Sequence, residues 1–595
     1  MHPANMEYEL EPGFRARAAF AAALGSLVLA GPTLAAPATT AGSGSTATLT
    51  ERCTELPQRM SGKFPDTSTR LTAAGVVGPA AIQTGGAGGP PRTLQVPRHC
   101  ELSGVARERT AADGQHYAIH FHLRLPLEWN GRLFFQGGGG SNGVLGDALG
   151  AYSPVTPAAL QQGFAVVSQD SGHDNTLNND PARGGVLVFG FDAQARANYG
   201  HASLPIVSAA AKAVVRSFYA EPLRYSYFVG CSKGGEEGLA LAQRYPTEFD
   251  GIAAGAPGMS LPRAAVEEAW DTQALASAAR PAAGGSLTIE TLANSLSDAD
   301  LMLVRDSVLK ACDADDGLED GIVGDLAKCT TEKVLPVLRR TQCAAGQSTG
   351  CLRDAQIEAL TKLMSGAHDH AGHPLYSHWP WDAGVATPGW RVWKLGFERG
   401  PPSLNVMLGG PSLASVFTTP PTPLGADPRQ ALEFVLKFDF DRDTPRIYAT
   451  AALFPHSAWE DVSARSTDLS GFRARHGKLL LTHGVSDPVF SINDTLEWWR
   501  EVNLRNNNRA ASFVRVFAIP GMNHCAGGPA TDQFDVLAPL MQWVEHGRPP
   551  DRILAHANPA SPWPRRTRPL CVYPAVARYK GGADIESADS FACRE

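Results

Sequence analysis

The feature that most constrains the fold is the segment Gly230-Cys-Ser-Lys-Gly234, which has the pattern G-x-S-x-G. It lies between an apolar run, Tyr225–Val229, and a stretch rich in Glu, Leu, Ala and Gln at 235–244. A strand, a tight turn at a serine and a helix form a nucleophile elbow, which lifts the serine Oγ away from the backbone. Gly- and Ser-rich turns are common, so the motif alone is weak. Its flanks make Ser232 a candidate nucleophile.

Apolar runs typical of strands recur on both sides of this motif. They lie at 132–135, 164–167, 251–255, 478–482 and 513–517, and a helix is predicted at 536–546. Strands that alternate with helices indicate a parallel sheet. We therefore predict an α/β-hydrolase fold, a mostly parallel sheet flanked by helices, whose core is divided into 51–258 and 473–595. The segment 259–472, rich in Trp, Pro and Gly, is predicted to be a large inserted lid domain at the carboxyl edge of the sheet.

The N-terminus has the pattern of a secretory signal peptide. Arg15 and Arg17 precede an apolar run at 18–30, and small residues follow up to Ala36. We predict a signal peptide at 1–36 and a flexible lead-in at 37–50, and hence a secreted or periplasmic protein. The alternative is a disordered Ala-rich tail. No other long apolar stretch occurs, so no membrane contact is expected after the signal is removed.

Net charge and cysteine content narrow the partners and the compartment. The net charge of −7 is spread along the chain without a basic stripe, so nucleic acid is not expected as a partner. Ten cysteines in an exported chain indicate disulfides rather than metal sites. The sequence leaves most connectivities open. Proximity suggests the pairs Cys53–Cys100, Cys312–Cys329, Cys343–Cys351 and Cys571–Cys593, which leaves Cys231 and Cys525 to pair with each other.

Two further residues complete a possible catalytic triad with Ser232. Asp487 follows the predicted strand at 478–482, and His524 follows the one at 513–517. Taken singly, Asp487 could be a turn-forming residue before a proline, and His524 an ordinary loop histidine. The chain order Ser, Asp, His is nevertheless that of α/β-hydrolases. If Ser232 and His524 act together, the cysteines beside them come close enough to form a disulfide.

An enzyme of this kind also needs two donors for the oxyanion. One is the N–H of the residue after the nucleophile, Lys233. The other is expected in the loop Gly137–Gly140, because four glycines let the backbone approach a ligand. The alternative for this loop is a flexible turn.

The chain resembles the tannase/feruloyl esterase family from about Cys53 to Cys593. The shared features are Cys231-Ser232, Asp487 and His524-Cys525, together with Asp170-Ser-Gly-His-Asp174 and Pro520-Gly-Met-Asn-His524. Within the family it is similar to the mono-hydroxyethyl-terephthalate hydrolase branch, on the segments 253–258, 437–441 and 577–581. The resemblance implies a serine esterase that cleaves esters of hydroxybenzoic or hydroxycinnamic acids through a Ser-His-Asp acyl-enzyme mechanism. It also implies Gly140 as the second oxyanion donor.

The resemblance further implies a structural calcium ion in the lid and no organic cofactor. Its ligands would be the carboxylates of Asp313, Asp316 and Asp320 and the carbonyls of Leu318 and Ile322. Calcium prefers several oxygen ligands on a compact turning loop, which agrees with this segment. The loop is not an EF-hand, because Leu318 stands where that motif needs glycine. The alternative is a solvated acidic turn.

The predicted substrate is a small aromatic ester. Trp393, Phe490 and Leu261 are expected to form an apolar wall for its aromatic acyl group, although each could be ordinary core. The terephthalate branch implies a lid arginine for a free carboxylate. The corresponding stretch here, 403–406, has none, and Arg399 is out of register. The alternatives are a terephthalate monoester hydrolase and, from another class, a non-catalytic secreted binding protein on a hydrolase scaffold. The sequence leaves the oligomeric state open.

Overall fold

The architecture follows from a computed structural model that describes residues 43–84, 92–112, 114–280 and 285–595. The predicted signal peptide at 1–36 lies outside the described residues. The strands are β1 (Arg70–Val77), β2 (Ala80–Thr84), β3 (Arg92–Val96), β4 (His99–Thr110), β5 (His116–Pro126), β6 (Arg132–Gln136), β7 (Ala165–Gln169), β8 (Tyr225–Cys231), β9 (Gly251–Gly255), β10 (Lys478–Gly484), β11 (Val514–Ile519), β12 (Gln533–Phe534), β13 (Arg552–His556), β14 (Thr567–Cys571), β15 (Val576–Tyr579) and β16 (Phe591–Arg594).

Helices surround these strands and build most of the segment between β9 and β10. They are α1 (Ser43–Met60), α2 (Ala193–Ala197), α3 (Ser203–Tyr219), α4 (Lys233–Arg244), α5 (Leu261–Ala278), α6 (Ile289–Ala293), α7 (Asp298–Cys312), α8 (Thr331–Leu338), α9 (Asp354–Met364), α10 (Pro388–Lys394), α11 (Gly410–Ser415), α12 (Pro428–Lys437), α13 (Ala458–Val462), α14 (Ser470–Ala474), α15 (Ile492–Arg505) and α16 (Leu537–His546). The flexible lead-in predicted for 37–50 is corrected in part, because α1 begins at Ser43.

The main sheet in the described chain has the order β1-β4-β5-β7-β6-β8-β9-β10-β11. From β7 to β11 in this order, neighbouring strands run parallel. The pairs β1–β4, β4–β5 and β5–β7 are antiparallel. The parallel part brings the carboxyl ends of β6, β8, β10 and β11 to one edge, where the candidate site residues follow. The predicted α/β-hydrolase fold is confirmed.

Both faces of the sheet are apolar, as a parallel sheet covered by helices requires. On β8, Phe228 joins the cluster that contains Leu239 of α4, while its neighbour Tyr227 joins the cluster that contains Leu537 of α16. Alternate residues of one strand therefore anchor helices on opposite faces.

The inserted segment has an apolar core of its own, built around α5. Leu275 of α5, Leu360 of α9 and Val435 of α12 are fully or almost fully buried in it. All ten cysteines form disulfides, in the pairs Cys53–Cys100, Cys231–Cys525, Cys312–Cys329, Cys343–Cys351 and Cys571–Cys593. Within the described ranges, no helix has the length and apolar character needed to cross a membrane.

Candidate active site

Ser232 lies at the turn between β8 and α4, the position predicted for a nucleophile. Its φ of 64° is in the left-handed region, a conformation that a non-glycine residue keeps only when its surroundings hold it there. Gly230 and Gly234, on either side of it, leave no room for a side chain. A Cβ on Gly230 would lie 2.5 Å from the Gly234 carbonyl oxygen, and one on Gly234 would lie 2.6 Å from that of Gly138. The turn is therefore a strained, tightly packed elbow.

The structure brings Ser232, His524 and Asp487 into one hydrogen-bonded chain. His524 Nε2 is 2.8 Å from Ser232 Oγ, and His524 Nδ1 is 2.8 Å from Asp487 Oδ2. The three residues are up to 292 positions apart in sequence, and they meet because each follows a strand at the same edge of the sheet. This is the geometry of a nucleophile, a base and the carboxylate that orients the base.

Asp487 is buried, and its carboxylate is nevertheless well compensated. The backbone N–H groups of Val489 and Phe490 donate to Oδ1, and His483 lies 3.5 Å from Oδ2. Burial raises the pKa of Asp487, but the charge of His524 and hydrogen bonds from His483 and His524 outweigh it, so the pKa lies well below its usual range. Asp487 is therefore ionised at neutral pH. The role of His483, which also bonds Thr495 and the Phe490 carbonyl, was not anticipated from the sequence.

The loop that carries His524 is fastened to the lid as well as to β8. The Cys231–Cys525 disulfide joins it to the nucleophile strand. From the lid, Asp382 Oδ2 accepts hydrogen bonds from Gly521 N–H at 2.7 Å and from the Ser486 hydroxyl at 2.7 Å. One lid carboxylate thus connects the loops of His524 and Asp487. Burial raises the pKa of Asp382 to about 6, although the hydrogen bonds that it accepts lower it in part.

The two predicted oxyanion donors lie on either side of Ser232. Lys233 is the first residue of α4, so its N–H has no partner within the helix. Gly140 has a φ of 59°, which favours glycine, and it borders the same cavity as Ser232. Tyr199 donates a hydrogen bond to the Gly140 carbonyl at 3.2 Å.

A buried network holds this glycine loop, and the sequence analysis did not identify it. Glu237 Oε2 accepts a hydrogen bond from Gly138 N–H at 2.9 Å, and Glu237 Oε1 accepts one from the Asn142 amide at 2.8 Å. The Asn142 side-chain oxygen in turn accepts from Gly139 N–H at 2.8 Å. The sequence allowed either a flexible turn or an oxyanion site here. The loop is held in place by hydrogen bonds that its own N–H groups donate to Glu237 and Asn142. The pair Glu236-Glu237, directly after the elbow, is the feature of the sequence that could have indicated this network.

A cavity of about 2160 Å³ opens in front of the triad, and the predicted apolar wall lies in it. The His524 ring is flanked edge-on by Trp393 of the lid, at 5.7 Å between centroids, and by Phe490, at 5.4 Å. Leu261, at the start of α5, packs beside Phe490 and Gly258 and also borders the cavity. The sequence analysis placed all three at the site, and the geometry brings them together.

Further lid residues complete the cavity wall, and they include one arginine, Arg305 of α7, which is paired with Asp306. Leu404, Leu408 and Phe417 border the cavity, together with Glu268 of α5. Arg399 is exposed and is not among the described residues that line the cavity. The absence of a lid arginine at 403–406 therefore leaves an apolar surface, since Leu404 occupies that position on the wall.

The acidic loop predicted to bind calcium has oxygen donors, several of which accept hydrogen bonds or pair with an arginine. In the part of the chain that the structure describes, no three His, Cys, Asp or Glu side chains are grouped to hold an ion. Asp313 accepts hydrogen bonds from the N–H groups of Asp320 and Gly321 at 3.1 and 2.9 Å. Asp320 pairs with Arg568. Asp316 and Asp320 border a small cavity of about 40 Å³ with Ile322.

Comparison with known proteins places this site in a family. The family model described as tannase and feruloyl esterase matches residues 100–594. The chain belongs to the tannase and feruloyl esterase family. It is 43% identical over 519 residues to the mono(2-hydroxyethyl) terephthalate hydrolase of Piscinibacter sakaiensis, which covers 84% of this chain and 85% of that relative. It is 30% identical over 481 residues to a probable feruloyl esterase of Arthroderma benhamiae, with 79% and 81% covered.

A solved structure supports the same fold for this member of the tannase and feruloyl esterase family. Feruloyl esterase B from Aspergillus oryzae superposes with a TM-score of 0.68 at 23% identity, covering 92% of this chain and 100% of that one. At this identity the likeness shows the fold alone. The two sequence relatives are named as hydrolases of esters, which agrees with the predicted class. The protein is a carboxylic ester hydrolase.

Proposed function

We propose that this esterase hydrolyses esters of hydroxybenzoic or hydroxycinnamic acids through an acyl-enzyme on Ser232. The observation that supports the proposal is the hydrogen-bonded chain Ser232–His524–Asp487, with distances of 2.8 Å at both links, at the wall of a cavity lined by aromatic and apolar side chains. A nucleophile in such a position attacks the carbonyl carbon of a bound ester.

The proposed reaction proceeds in two halves. Ser232 Oγ attacks the ester carbonyl while His524 Nε2 takes its proton, and the same proton then goes to the leaving alcohol. Asp487, held ionised, accepts the hydrogen bond of His524 Nδ1–H and thereby keeps Nε2 available as the base. Water repeats the sequence on the acyl-enzyme and releases the acid.

The N–H groups of Lys233 and Gly140 are proposed to bind the negative oxygen of each tetrahedral intermediate. The network of Glu237 and Asn142 supports this role, because it holds the glycine loop in place before substrate arrives. Donors that need no rearrangement at the moment of reaction stabilise the charge most effectively.

A terephthalate monoester is the second candidate substrate, because a relative 43% identical to this chain is named as a hydrolase of that ester. The free carboxylate of such a substrate would favour a guanidinium partner. At 403–406 the lid presents Leu404 instead, and the lid arginine that borders the cavity elsewhere, Arg305, is already paired with Asp306. We therefore place hydroxylated aromatic acids first.

A substrate panel tests the proposal. Initial rates with methyl gallate, methyl ferulate and mono(2-hydroxyethyl) terephthalate should show the largest kcat/KM for one of the first two. A larger kcat/KM for the terephthalate monoester would reverse the order of the candidates. If a serine-directed phosphonate labels Ser232 but none of the three esters is hydrolysed, the proposed acyl group is wrong while the nucleophile stands.

We also propose a calcium ion at the lid loop and export of the protein. The donors of Asp313, Asp316 and Asp320 and the carbonyls of Leu318 and Ile322 are of the oxygen type that calcium prefers. A divalent cation would also offset the repulsion between the carboxylates of this loop. Five disulfides are typical of proteins from oxidising compartments. Metal analysis of the protein purified without chelator, and N-terminal sequencing of the exported protein, test the two proposals.

A further inference from the structure

One carboxyl group lies on the otherwise apolar wall that α5 presents to the cavity. Leu261, Ala264, Ala265 and Glu268 all border the cavity. Their spacing of three, four and seven residues places them on one face of the helix. Leu261 packs beside Gly258, whose N–H donates to the Ser232 carbonyl at 3.3 Å. Glu268 is two turns farther from the nucleophile, about 10 Å along the helix axis.

The Glu268 side chain is packed tightly, and its carboxyl group lacks a protein partner. The residue is 6% exposed, and among the described residues no hydrogen bond or ion pair involves its carboxyl oxygens. A Cβ on Gly409, which also borders the cavity, would lie 1.7 Å from Glu268 Oε2. The glycine therefore makes room for the carboxyl group. A carboxyl group on a cavity wall that has no protein partner is free to hydrogen-bond a ligand.

The surroundings keep this carboxyl group protonated at neutral pH. Burial raises the pKa of Glu268 to about 8, and the nearby Asp271 adds to the rise while Lys394 opposes it. Lys394 itself is paired with Asp271. The neighbouring Glu267 accepts hydrogen bonds from Trp379 and from a backbone N–H. A protonated carboxyl group in an apolar site can donate a hydrogen bond as well as accept one.

We propose that Glu268 is a specificity-determining residue that hydrogen-bonds a ring hydroxyl at the far end of the substrate's acyl group. This inference rests on the proposed function and names the part of the acid that the cavity recognises. A hydroxyl both donates and accepts, so it matches a neutral carboxyl group. Glu268 lies two helical turns beyond Leu261. A hydroxycinnamoyl group is two carbon atoms longer than a hydroxybenzoyl group, so it spans this separation better.

The test compares esters that differ only in the ring hydroxyl. The first pair is methyl 4-hydroxycinnamate and methyl cinnamate, and the second is methyl 4-hydroxybenzoate and methyl benzoate. For each pair, the ratio of kcat/KM values measures what the hydroxyl contributes. In E268L we expect the cinnamate ratio to fall about 10- to 100-fold, because the hydroxyl loses its buried partner. E268Q retains a donor and an acceptor, and its ratio should stay within about 5-fold of the wild type.

Glu358→Gln is the matched control, because Glu358 is exposed on α9, a lid helix that packs against α5. It should leave both ratios unchanged. Labelling by a serine-directed phosphonate gives the active fraction, and E268A replaces E268L if the leucine variant labels poorly. Ratios that stay unchanged for both pairs in E268L or E268A overturn the inference. A larger change in the benzoate pair would identify the shorter acid as the ligand. If the wild type hydrolyses none of the four esters, the proposed function fails instead.

Discussion

Replacing both Cys231 and Cys525 by alanine separates the effect of their disulfide on stability from its effect on catalysis. The bond joins the strand before the nucleophile to the loop of the base, across a sequence separation of 294 residues. For a loop of this length the chain-entropy model gives about 5–6 kcal/mol of stabilisation. Two other disulfides, Cys312–Cys329 and Cys343–Cys351, lie within the loop and shorten it only slightly.

The matched control is the double variant C343A/C351A. This disulfide lies in the lid and spans 8 residues, for which the same model gives about 2–3 kcal/mol. The free energy of unfolding of C231A/C525A should therefore fall about 3 kcal/mol further than that of the control. Urea titration followed by tryptophan fluorescence measures both values.

The effect on catalysis should be specific to the first pair. Cys525 has a φ of 63°, and only the adjacent disulfide joins this end of the loop covalently to β8. A hydrogen bond that the Gly521 N–H donates to Asp382 holds the loop three residues before His524. A displacement of His524 by about 1 Å would lower kcat/KM by up to about 100-fold. Equal losses of stability in the two double variants would refute the loop-length argument. A kcat/KM equal to that of the control would show that the bond does not position His524.

Three further predictions concern the rest of the site. Asp487→Asn should lower kcat by about 10⁴-fold in a folded protein, because the tautomer of His524 is no longer fixed. The pKa of Asp487 is lower in the folded protein than in the unfolded chain, so its carboxylate stabilises the fold fully above about pH 4, the usual pKa of an aspartate. This stabilisation is lost as the pH falls towards the folded pKa. The difference in unfolding free energy between the wild type and D487N should therefore shrink below pH 4. In Glu237→Gln, the new amide N–H would face either the Gly138 N–H or the Asn142 amide, both of which donate to the carboxylate in the wild type. Because the glycine loop would lose part of its support, kcat should fall about 10- to 100-fold with little change in KM, as measured by steady-state kinetics. Chelation with EDTA should lower the Tm of the wild type, measured by calorimetry, more than that of Asp316→Asn. An equal decrease in the two proteins would contradict calcium binding at this loop.

Local patterns were sufficient to predict the parallel half of the sheet. The apolar runs before and after the elbow correspond to β6 to β11, and the three triad candidates follow β8, β10 and β11. These patterns work because a buried parallel strand is almost wholly apolar and because the elbow requires glycines on both sides of the serine. The antiparallel strands β1 to β5 were not predicted. In β1 the alternation is weak, and several residues are half-exposed. In β5 it is regular from Tyr117 to Leu123 and was overlooked.

The supporting groups of the site could not be found in the same way. Glu237 contacts Gly138, which is 99 residues away, and Asp382 reaches Gly521 across 139 residues. No local periodicity marks such pairs, since a buried glutamate or aspartate has the same sequence appearance as a solvated one. Glu268 was overlooked for this reason, because it follows Glu267 on a helix and resembles an exposed charged pair.

The sequence by itself determined the family, and it identified the candidate nucleophile, base and orienting acid and the cysteines that could join them. Each of these depends on residue type and on position relative to a strand, and both are visible in the chain. Only the tertiary structure decided which side chains hold the glycine loop, and that the cavity wall carries Leu404 and an unpartnered Glu268. Those properties depend on burial and on contacts across hundreds of residues, which arise only when the lid packs over the sheet.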